Sequence, residues 1–392
     1  MSRAGRNRNH VIHVAVMVGL ALLVGVPAWG QSRIPSGSNS YLDTGYNYTN
    51  GDRDQVNVIF FEVPATTSGP IYFAINDPGL DTTAPDFRTG AGTTSFSLVG
   101  GAGTISASAS RRPLYSDPQL AAEEHLTGTV LHSFTANGTA QYNSGWYYLP
   151  GVYPDQGELI GNNYYFKIVA VGERSGSYEN AYSMDVSYQN SGTPTGISTV
   201  SAFSYGYSMI FNGVASWNVY PFVDDAYSGN LYFNYYDFDG ANSSGRIYNI
   251  SGTDLGAATK TANNAAGSDS FSVVGQMNGT WRLAIQNTGG TDTGEFWFDD
   301  GAGTQVKGYS AYFVPPEPDH VILNVEPETA RTGAASTVTV QIVDAGGVSV
   351  PYSRALYAVV NRSAAIVSPA STGGAQDELV TTNADGVAMF TI

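Results

Sequence analysis

Cysteine is absent from this 392-residue chain, and lysine occurs only at Lys167, Lys260 and Lys307. Without cysteine no disulfide can hold the fold, so stability depends on apolar burial or on bound ions. Catalytic motifs are missing as well, because the sequence has no HExxH metal site, no GxSxG elbow and no Walker loop. These absences favour a non-catalytic protein, although a hydrolase that uses two carboxylates leaves no local motif and stays open.

Positive charge is also scarce, with 17 basic residues against 33 acidic residues and a formal net charge of −16. A nucleic-acid partner needs a basic face for its phosphates, so we expect none here. The acidic surplus suits solubility outside the cell, and it leaves carboxylates that could bind Ca²⁺.

One long apolar run is present, and it lies at the N-terminus. Arg3, Arg6 and Arg8 precede residues 11–26, which are apolar apart from His13, and the small residues Ala28 and Gly30 follow. This order is typical of a signal peptide, predicted here as residues 1–30, and the alternative is an uncleaved anchor. We therefore expect a secreted or cell-surface protein with no membrane span in the mature chain.

The remaining chain shows short apolar runs that are rich in Val, Ile, Phe and Tyr and bounded by Gly, Asn or Asp, and helical periodicity is nearly absent. This pattern predicts an all-β fold of tandem β-sandwich modules, two of them jelly-roll-like and one Ig-like. Polar and Pro-rich stretches mark the predicted boundaries. They give module 1 at 41–190, a linker at 191–200, module 2 at 201–314, a Pro-rich linker at 315–320 and an Ig-like domain at 321–392.

Two sequence echoes suggest that modules 1 and 2 are related. Ser68–Phe73 is repeated as Ser228–Phe233, and an acid follows four residues after each Phe, at Asp77 and Asp237. In addition, residues 95–100 are echoed by residues 270–275. The alternative is chance likeness between short aromatic strands bounded by glycine.

The last sixty residues contain TVTVQIVDAGGVSV at 337–350 and TTNADGVAMFTI at 381–392. This pair of segments resembles the bacterial Ig-like domain of the invasin and intimin type (Big-1). The resemblance implies a spacer or adhesive β-sandwich on an extracellular protein, with no catalytic residues. The pattern ends before its closing strands, so we expect the Ig-like domain to be incomplete.

Two shorter resemblances lie within the modules. Residues 278–285, NGTWRLAI, with DTGEF at 292–296 resemble the P domain of proprotein convertases. Residues 163–171, NYYFKIVAV, with YSMDV at 182–186 resemble bacterial pre-peptidase C-terminal domains. Both families are jelly-roll-like sandwiches attached to secreted enzymes.

Aromatic residues and one acidic turn are the candidate sites. Trp146, Tyr147 and Tyr148 lie in loop-like sequence and are candidates for stacking on a sugar, with a core position as the alternative. Trp281 and Trp297 raise the same question, and the alternating apolar flanks of Trp281 favour the core. Asp237, Asp239 and Asn242 place oxygens at one turn and form a candidate Ca²⁺ site, with an ordinary acidic turn as the alternative.

The sequence therefore predicts a secreted or surface-exposed bacterial protein that acts non-catalytically in adhesion, in binding an extracellular glycan or protein, or as a spacer. The alternative is a carbohydrate- or peptide-binding accessory region of a secreted hydrolase. The residues beyond Ile392 in the complete gene would discriminate these hypotheses.

Overall fold

The computed structural model describes residues 14–16, 32–46, 56–80, 86, 92–111, 122–143, 145–172, 178–223, 229–238, 243–258, 265–273, 279–311, 320–326, 337–343, 355–360, 377–381 and 387–391. The predicted all-β class is confirmed. Helical structure in the described part of the chain is limited to short 3₁₀ turns at Ser108–Arg111, Ala122–Leu126 and Pro154–Gln156. None of its helices has the length and apolar character that crossing a bilayer requires.

In chain order the strands are β1 (Val14–Val16), β2 (Ser38–Tyr46), β3 (Val56–Pro64), β4 (Tyr72–Asn76), β5 (Thr94–Gly100), β6 (Thr129–Ala136), β7 (Trp146–Tyr148), β8 (Glu158–Ile160), β9 (Asn163–Gly172), β10 (Tyr178–Ser187), β11 (Ser201–Ser204), β12 (Gly206–Val223), β13 (Asn230–Tyr236), β14 (Ser243–Tyr248), β15 (Asp254–Ala257), β16 (Ala266–Ser272), β17 (Gly279–Thr280), β18 (Arg282–Asp299), β19 (Gln305–Val306), β20 (Gly308–Tyr309), β21 (His320–Glu326), β22 (Thr337–Val343), β23 (Ala355–Val360), β24 (Asp377–Thr381) and β25 (Val387–Thr391). They fall into two compact units, Pro27–Val314 and the combination of Met1–Val26 with Pro315–Ile392.

The smaller unit contains two three-stranded sheets. Strand β22 lies between β21 and β25, and β23 lies between β1 and β24, with every pair antiparallel. The strands predicted from the Ig-like pattern, at 337–343 and from Val387 onward, are present, and Val340 is buried. The turns predicted at 344–347 and 383–386 lie outside the described residues.

The larger unit is a sandwich whose first layer, sheet I, has the strand order β7-β4-β10-β2-β12-β18-β13-β16. The second layer, sheet II, has the order β6-β5-β9-β3-β11-β20-β12-β18-β14-β15. Strands β12 and β18 are each 18 residues long and run through both layers. A bulge between Asn212 and Val214 interrupts their pairing where β12 passes from one layer to the other.

Aromatic side chains fill the space between the layers. Phe73 of sheet I lies 5.0 Å from Phe61 and 5.4 Å from Phe166 of sheet II, measured between ring centroids. Trp217 and Trp281 are also fully buried, so the prediction that Trp281 belongs to the core is confirmed. One core cluster takes residues from both predicted modules, so apolar burial stabilises both together.

Strand pairing relates the two modules by an approximate two-fold axis. Phe73 pairs with Val186 and Phe233 pairs with Phe298, so β4 corresponds to β13, and β10 to the end of β18. By the same correspondence β2 matches the start of β12, and these two strands pair with each other at Leu42 and Met209. Leu42 and Met209 are themselves equivalent, which places the axis between them.

The strand pairing in sheet II shows the same two-fold relation. Phe60 pairs with Phe203, and Tyr220 pairs with Tyr309. Phe203 and Tyr309 in turn pair with each other. Both layers therefore continue across the axis, and residues 27–314 fall within one compact unit. The predicted linker at 191–200 belongs to this unit, where Ile197 and Val200 are buried in the core.

The first sequence echo corresponds to equivalent positions in the structure. Asp77 and Asp237 both have a φ of 53°, which is unusual for a residue with a side chain. Their backbone N–H groups donate to equivalent carbonyls, Gly145 O at 2.9 Å and Ala265 O at 3.1 Å.

The prediction that residues 95–100 and 270–275 belong to equivalent strands is wrong. Residues 95–100 lie in β5, which pairs with β9, whereas residues 270–272 lie in β16, which pairs with β13. By pairing, β5 corresponds to β14 and β16 to β7. The alternation of Ser with an apolar residue is common to half-buried strands, so it did not identify a particular strand.

Candidate functional site

The outer face of sheet I is defined by the pleat of its strands. Phe73 and Ile75 of β4 point into the core, so Tyr72, Ala74 and Asn76 point outward. Because β7 pairs with β4 in register, Trp146 lies beside Asn76 and Tyr148 beside Ala74, on the outer face.

Tyr147 points the opposite way and does not join its neighbours in a surface group. Its ring lies 4.3 Å from that of Phe134 and 5.2 Å from that of Tyr142, and both of these side chains pack against the core. Burial raises the pKa of Tyr147, and Tyr142 adds to the effect. The predicted group Trp146, Tyr147 and Tyr148 is therefore divided between two faces of one strand.

Trp146 and Tyr148 are half-buried and share their face with half-buried Tyr72. We call Tyr72, Trp146 and Tyr148 the module 1 patch. The Arg33 guanidinium lies 5.7 Å from the centroid of the Trp146 ring. The Tyr148 hydroxyl donates to Gly192 O at 3.0 Å, which fixes the orientation of its ring. Tyr72 was missed from the sequence, although its outward position follows from period-two alternation with buried Phe73.

Beside the module 1 patch, the outer face is covered. Asp185 of β10 is buried and accepts hydrogen bonds from the Ser32 hydroxyl and its neighbour's backbone, Val186 N–H. Burial raises the pKa of Asp185, and these hydrogen bonds oppose the rise. Ile197 N–H donates to Ser32 Oγ at 3.1 Å, so the segment after β10 is held against this part of the sheet.

The equivalent face of module 2 presents a different set of side chains. Phe296 and Phe298 of β18 point into the core, so Trp297 and Asp299 point outward beside Asn234 and Tyr232 of β13. All four are half-buried. We call Tyr232, Asn234, Trp297 and Asp299 the module 2 patch. Asn234 Nδ2 donates to Asp299 Oδ2 at 2.7 Å, and Asp299 Oδ1 accepts from Gly301 N–H at 2.7 Å.

The outer face of sheet II carries buried ionisable groups. Lys167 Nζ donates to Ser110 Oγ at 2.6 Å and to Thr127 Oγ1 at 3.0 Å, and burial lowers the pKa of Lys167 to about 7. A lysine beside a serine is one means of activating a nucleophile. Here Lys167 is 0% exposed and Ser110 is 2% exposed, so the pair has no surface on which a substrate could be held.

Glu62 is the second buried group on this face. It accepts hydrogen bonds from the Tyr165 hydroxyl at 2.9 Å and the Tyr309 hydroxyl at 3.1 Å, and Lys307 Nζ lies 3.9 Å away. Tyr165 belongs to module 1, while Tyr309 and Lys307 belong to module 2. The carboxylate therefore joins the two halves, and its hydrogen bonds offset the cost of burying its charge.

The predicted Ca²⁺ site is only partly described. Asp237 is buried at the end of β13, whereas Asp239 and Asn242 lie outside the described residues. Within the described ranges, no group of three or more His, Cys, Asp or Glu residues has a geometry that could hold a metal ion. Binding of Ca²⁺ at this turn stays a prediction.

Comparison with known proteins does not assign the chain to a family. No protein-family model matches the chain, and no curated protein matches it. A solved structure of infectious bursal disease virus, Gt strain, is 11% identical, with 73% of this chain and 76% of that chain covered and a TM-score of 0.15. A likeness at that score carries no argument about fold or function.

Proposed function

We propose that this protein is an exported, non-catalytic binding protein whose module 1 patch binds an extracellular glycan. The observation that carries the proposal is the placement of Trp146 and Tyr148, which are half-buried on one outward face and fixed in orientation by Arg33 and Gly192. Rings held in this way lose little conformational entropy when a ligand stacks on them.

The chemistry of the patch favours a neutral sugar over other extracellular ligands. An aromatic ring can contact the apolar C–H face of a sugar, and the polar edge of Trp or Tyr can bond its hydroxyls. A strongly acidic ligand is disfavoured because the chain carries a net charge of −16. The Ig-like resemblance supports a role in adhesion, with residues 321–392 as a spacer.

Affinity gel electrophoresis of the full chain against laminarin, mannan, xyloglucan and dextran tests the proposal. We expect at least one of these polysaccharides to retard the chain. We expect Trp146→Ala and Tyr148→Ala each to weaken that retardation about tenfold, which is a loss of roughly 1.4 kcal/mol.

The matched control is Leu159→Ala, which removes a 56% exposed apolar side chain from β8 on sheet II. Its retardation should equal that of the parent. Absence of retardation by all four polysaccharides, or equal loss in the control, would contradict the proposed function.

A further inference from the structure

We infer that the module 2 patch is a second glycan-binding site, on the same face of sheet I as the first. The inference rests on the proposed function for its ligand class. The site itself is carried by a separate set of side chains: Trp297 and Tyr232 supply aromatic rings, and Asn234 and Asp299 supply the hydrogen-bonding groups between them.

The register of β13 and β18 places these groups in a compact array. Trp297 lies directly beside Asn234, and Asp299 lies directly beside Tyr232. On the other side of Trp297 its pairing partner in β12 is Gly206, which adds no side chain to the patch. A sugar ring stacked on Trp297 would therefore lie within reach of an amide and a carboxylate.

The polar groups of the module 2 patch are held in position. Asn234 and Asp299 are linked by their 2.7 Å hydrogen bond, and Gly301 N–H fixes the other carboxylate oxygen. Each carboxylate oxygen has a second lone pair, and the Asn234 amide keeps an acceptor oxygen and a second N–H donor, so hydroxyl groups of a sugar can both donate and accept here. Such ordering before binding lowers the entropic cost of binding.

The departure from two-fold symmetry explains why module 1 has no equivalent array. The equivalent residues of module 1 include Asp185 and Ser187, which are 5% and 0% exposed. There, the segment following β10 is held against the sheet through Ser32 and Ile197. After β18 the chain instead turns back at 300–304, where Thr304 O accepts from Asp300 N–H at 3.1 Å, and forms β19 beside β18.

The two patches lie on the same side of sheet I. Leu42 and Met209 pair across the axis and both point into the core, so the outer faces of the two modules lie on one side of a continuous sheet, with the covered strand β10 between the patches. From β7 to β18 there are five strand spacings of about 4.8 Å, which gives roughly 24 Å across the sheet. A polysaccharide long enough to span this distance would contact both patches, and a short oligosaccharide would bind each one separately.

Titration calorimetry of the full chain tests the second site. The probe is a hexasaccharide prepared from whichever of the four polysaccharides retards the parent. We expect two hexasaccharides to bind each parent chain and one to bind Trp297→Ala, with Trp146 intact. For the polysaccharide itself, the same variant should bind at least about tenfold more weakly, because simultaneous contact is lost.

A second variant protects the test against misfolding. Asp299→Asn keeps the size of the side chain and alters only its hydrogen bonding, and it should weaken hexasaccharide binding at one site while the chain stays folded at the temperature of the titration. A stoichiometry of one in the parent, or of two in Trp297→Ala, would overturn the second site while leaving the first intact. If no polysaccharide retards the parent, both proposals fall.

Discussion

At the scale of the residue, the direction of single side chains decides what the surface can bind. Trp146 and Tyr148 point outward, and Tyr147 between them packs against Phe134. A run of three aromatic residues in a strand can never form one platform, because successive side chains point to opposite faces. The two outward rings and the core-facing Tyr147 ring therefore have different roles, and mutation of Tyr147 should affect stability rather than binding.

Lys167 gives a prediction about pH at this scale. Burial lowers its pKa to about 7 in the folded protein, whereas an unfolded lysine has a pKa near 10.4. Between these values the unfolded chain binds one more proton, so stability rises with pH. We expect the unfolding free energy of the parent to rise relative to Lys167→Met from pH 7 to pH 9, by up to about 1.4 kcal/mol per unit.

Urea unfolding at a series of pH values measures this difference. Methionine has a similar length and no charge, and the 2.5 Å contact between the hydroxyls of Ser110 and Thr127 does not depend on the lysine. Parallel stability curves for the two chains across this range would mean that Lys167 stays charged when buried.

The backbone at Asp77 and Asp237 gives a second prediction. Both residues have a φ of 53°, which costs a residue with a Cβ atom roughly 1–2 kcal/mol, glycine being exempt. Alanine and glycine at either position remove the same aspartate side chain. We expect Asp77→Gly to be about 1 kcal/mol more stable than Asp77→Ala, and we expect the same difference between Asp237→Gly and Asp237→Ala. Thermal unfolding checks both pairs, and a more stable alanine variant at either site would contradict the cost assigned to the positive φ there.

At the scale of the element, a segment that contains Gly103, Ile105 and Ser106 covers part of the outer face of sheet II, and Glu158 holds it there. Its carboxylate accepts from Gly103 N–H at 3.0 Å, Ile105 N–H at 2.6 Å and Ser106 N–H at 3.1 Å. Burial raises the pKa of Glu158, but these bonds and that of the Ser106 hydroxyl outweigh it, so its pKa is lowered. The stabilisation that the Glu158 carboxylate provides is therefore fully present above the ordinary glutamate pKa. It is lost as the pH falls through the lowered pKa of Glu158.

We expect Glu158→Gln to destabilise this segment by about 1–3 kcal/mol, because an amide nitrogen cannot accept from backbone N–H groups. Hydrogen exchange at Gly103, Ile105 and Ser106 should speed up more than exchange in β4. The matched control is Asp155→Asn, which neutralises an exposed carboxylate three residues earlier. Unchanged exchange in Glu158→Gln would show that other contacts hold the segment.

The elements also show what could be predicted from the sequence. The strands at 72–76 and 230–236 were recognisable as a repeat because a Ser-Gly turn, buried Phe and terminal Asp are all local features. The match between 95–100 and 270–275 failed because alternation alone does not identify a strand. The pairing of β2 with β12 joins residues more than 160 positions apart, and no local pattern encodes it.

For the whole molecule, the two-fold arrangement predicts that residues 27–314 unfold as a single cooperative unit. Leu42 is fully buried where β2 meets β12, and the core on both sides of the axis is continuous. We expect Leu42→Ala to cost about 2–5 kcal/mol. The loss of unfolding free energy should be equal when it is measured by hydrogen exchange at the slowest-exchanging amides of β9, in module 1, and of β14, in module 2. Loss confined to one half would mean that the modules unfold independently.

We propose that the outer face of sheet I binds a neutral glycan through Trp146 and Trp297. The most direct measurement is the indole N–H region of the NMR spectrum of the full chain, titrated with the polysaccharide that retards it. Trp217 and Trp281, at 1% and 0% exposed, are internal references. We expect the Trp146 and Trp297 signals to shift and those of Trp217 and Trp281 to stay in place. Stationary signals from both surface tryptophans at saturating polysaccharide would contradict the account.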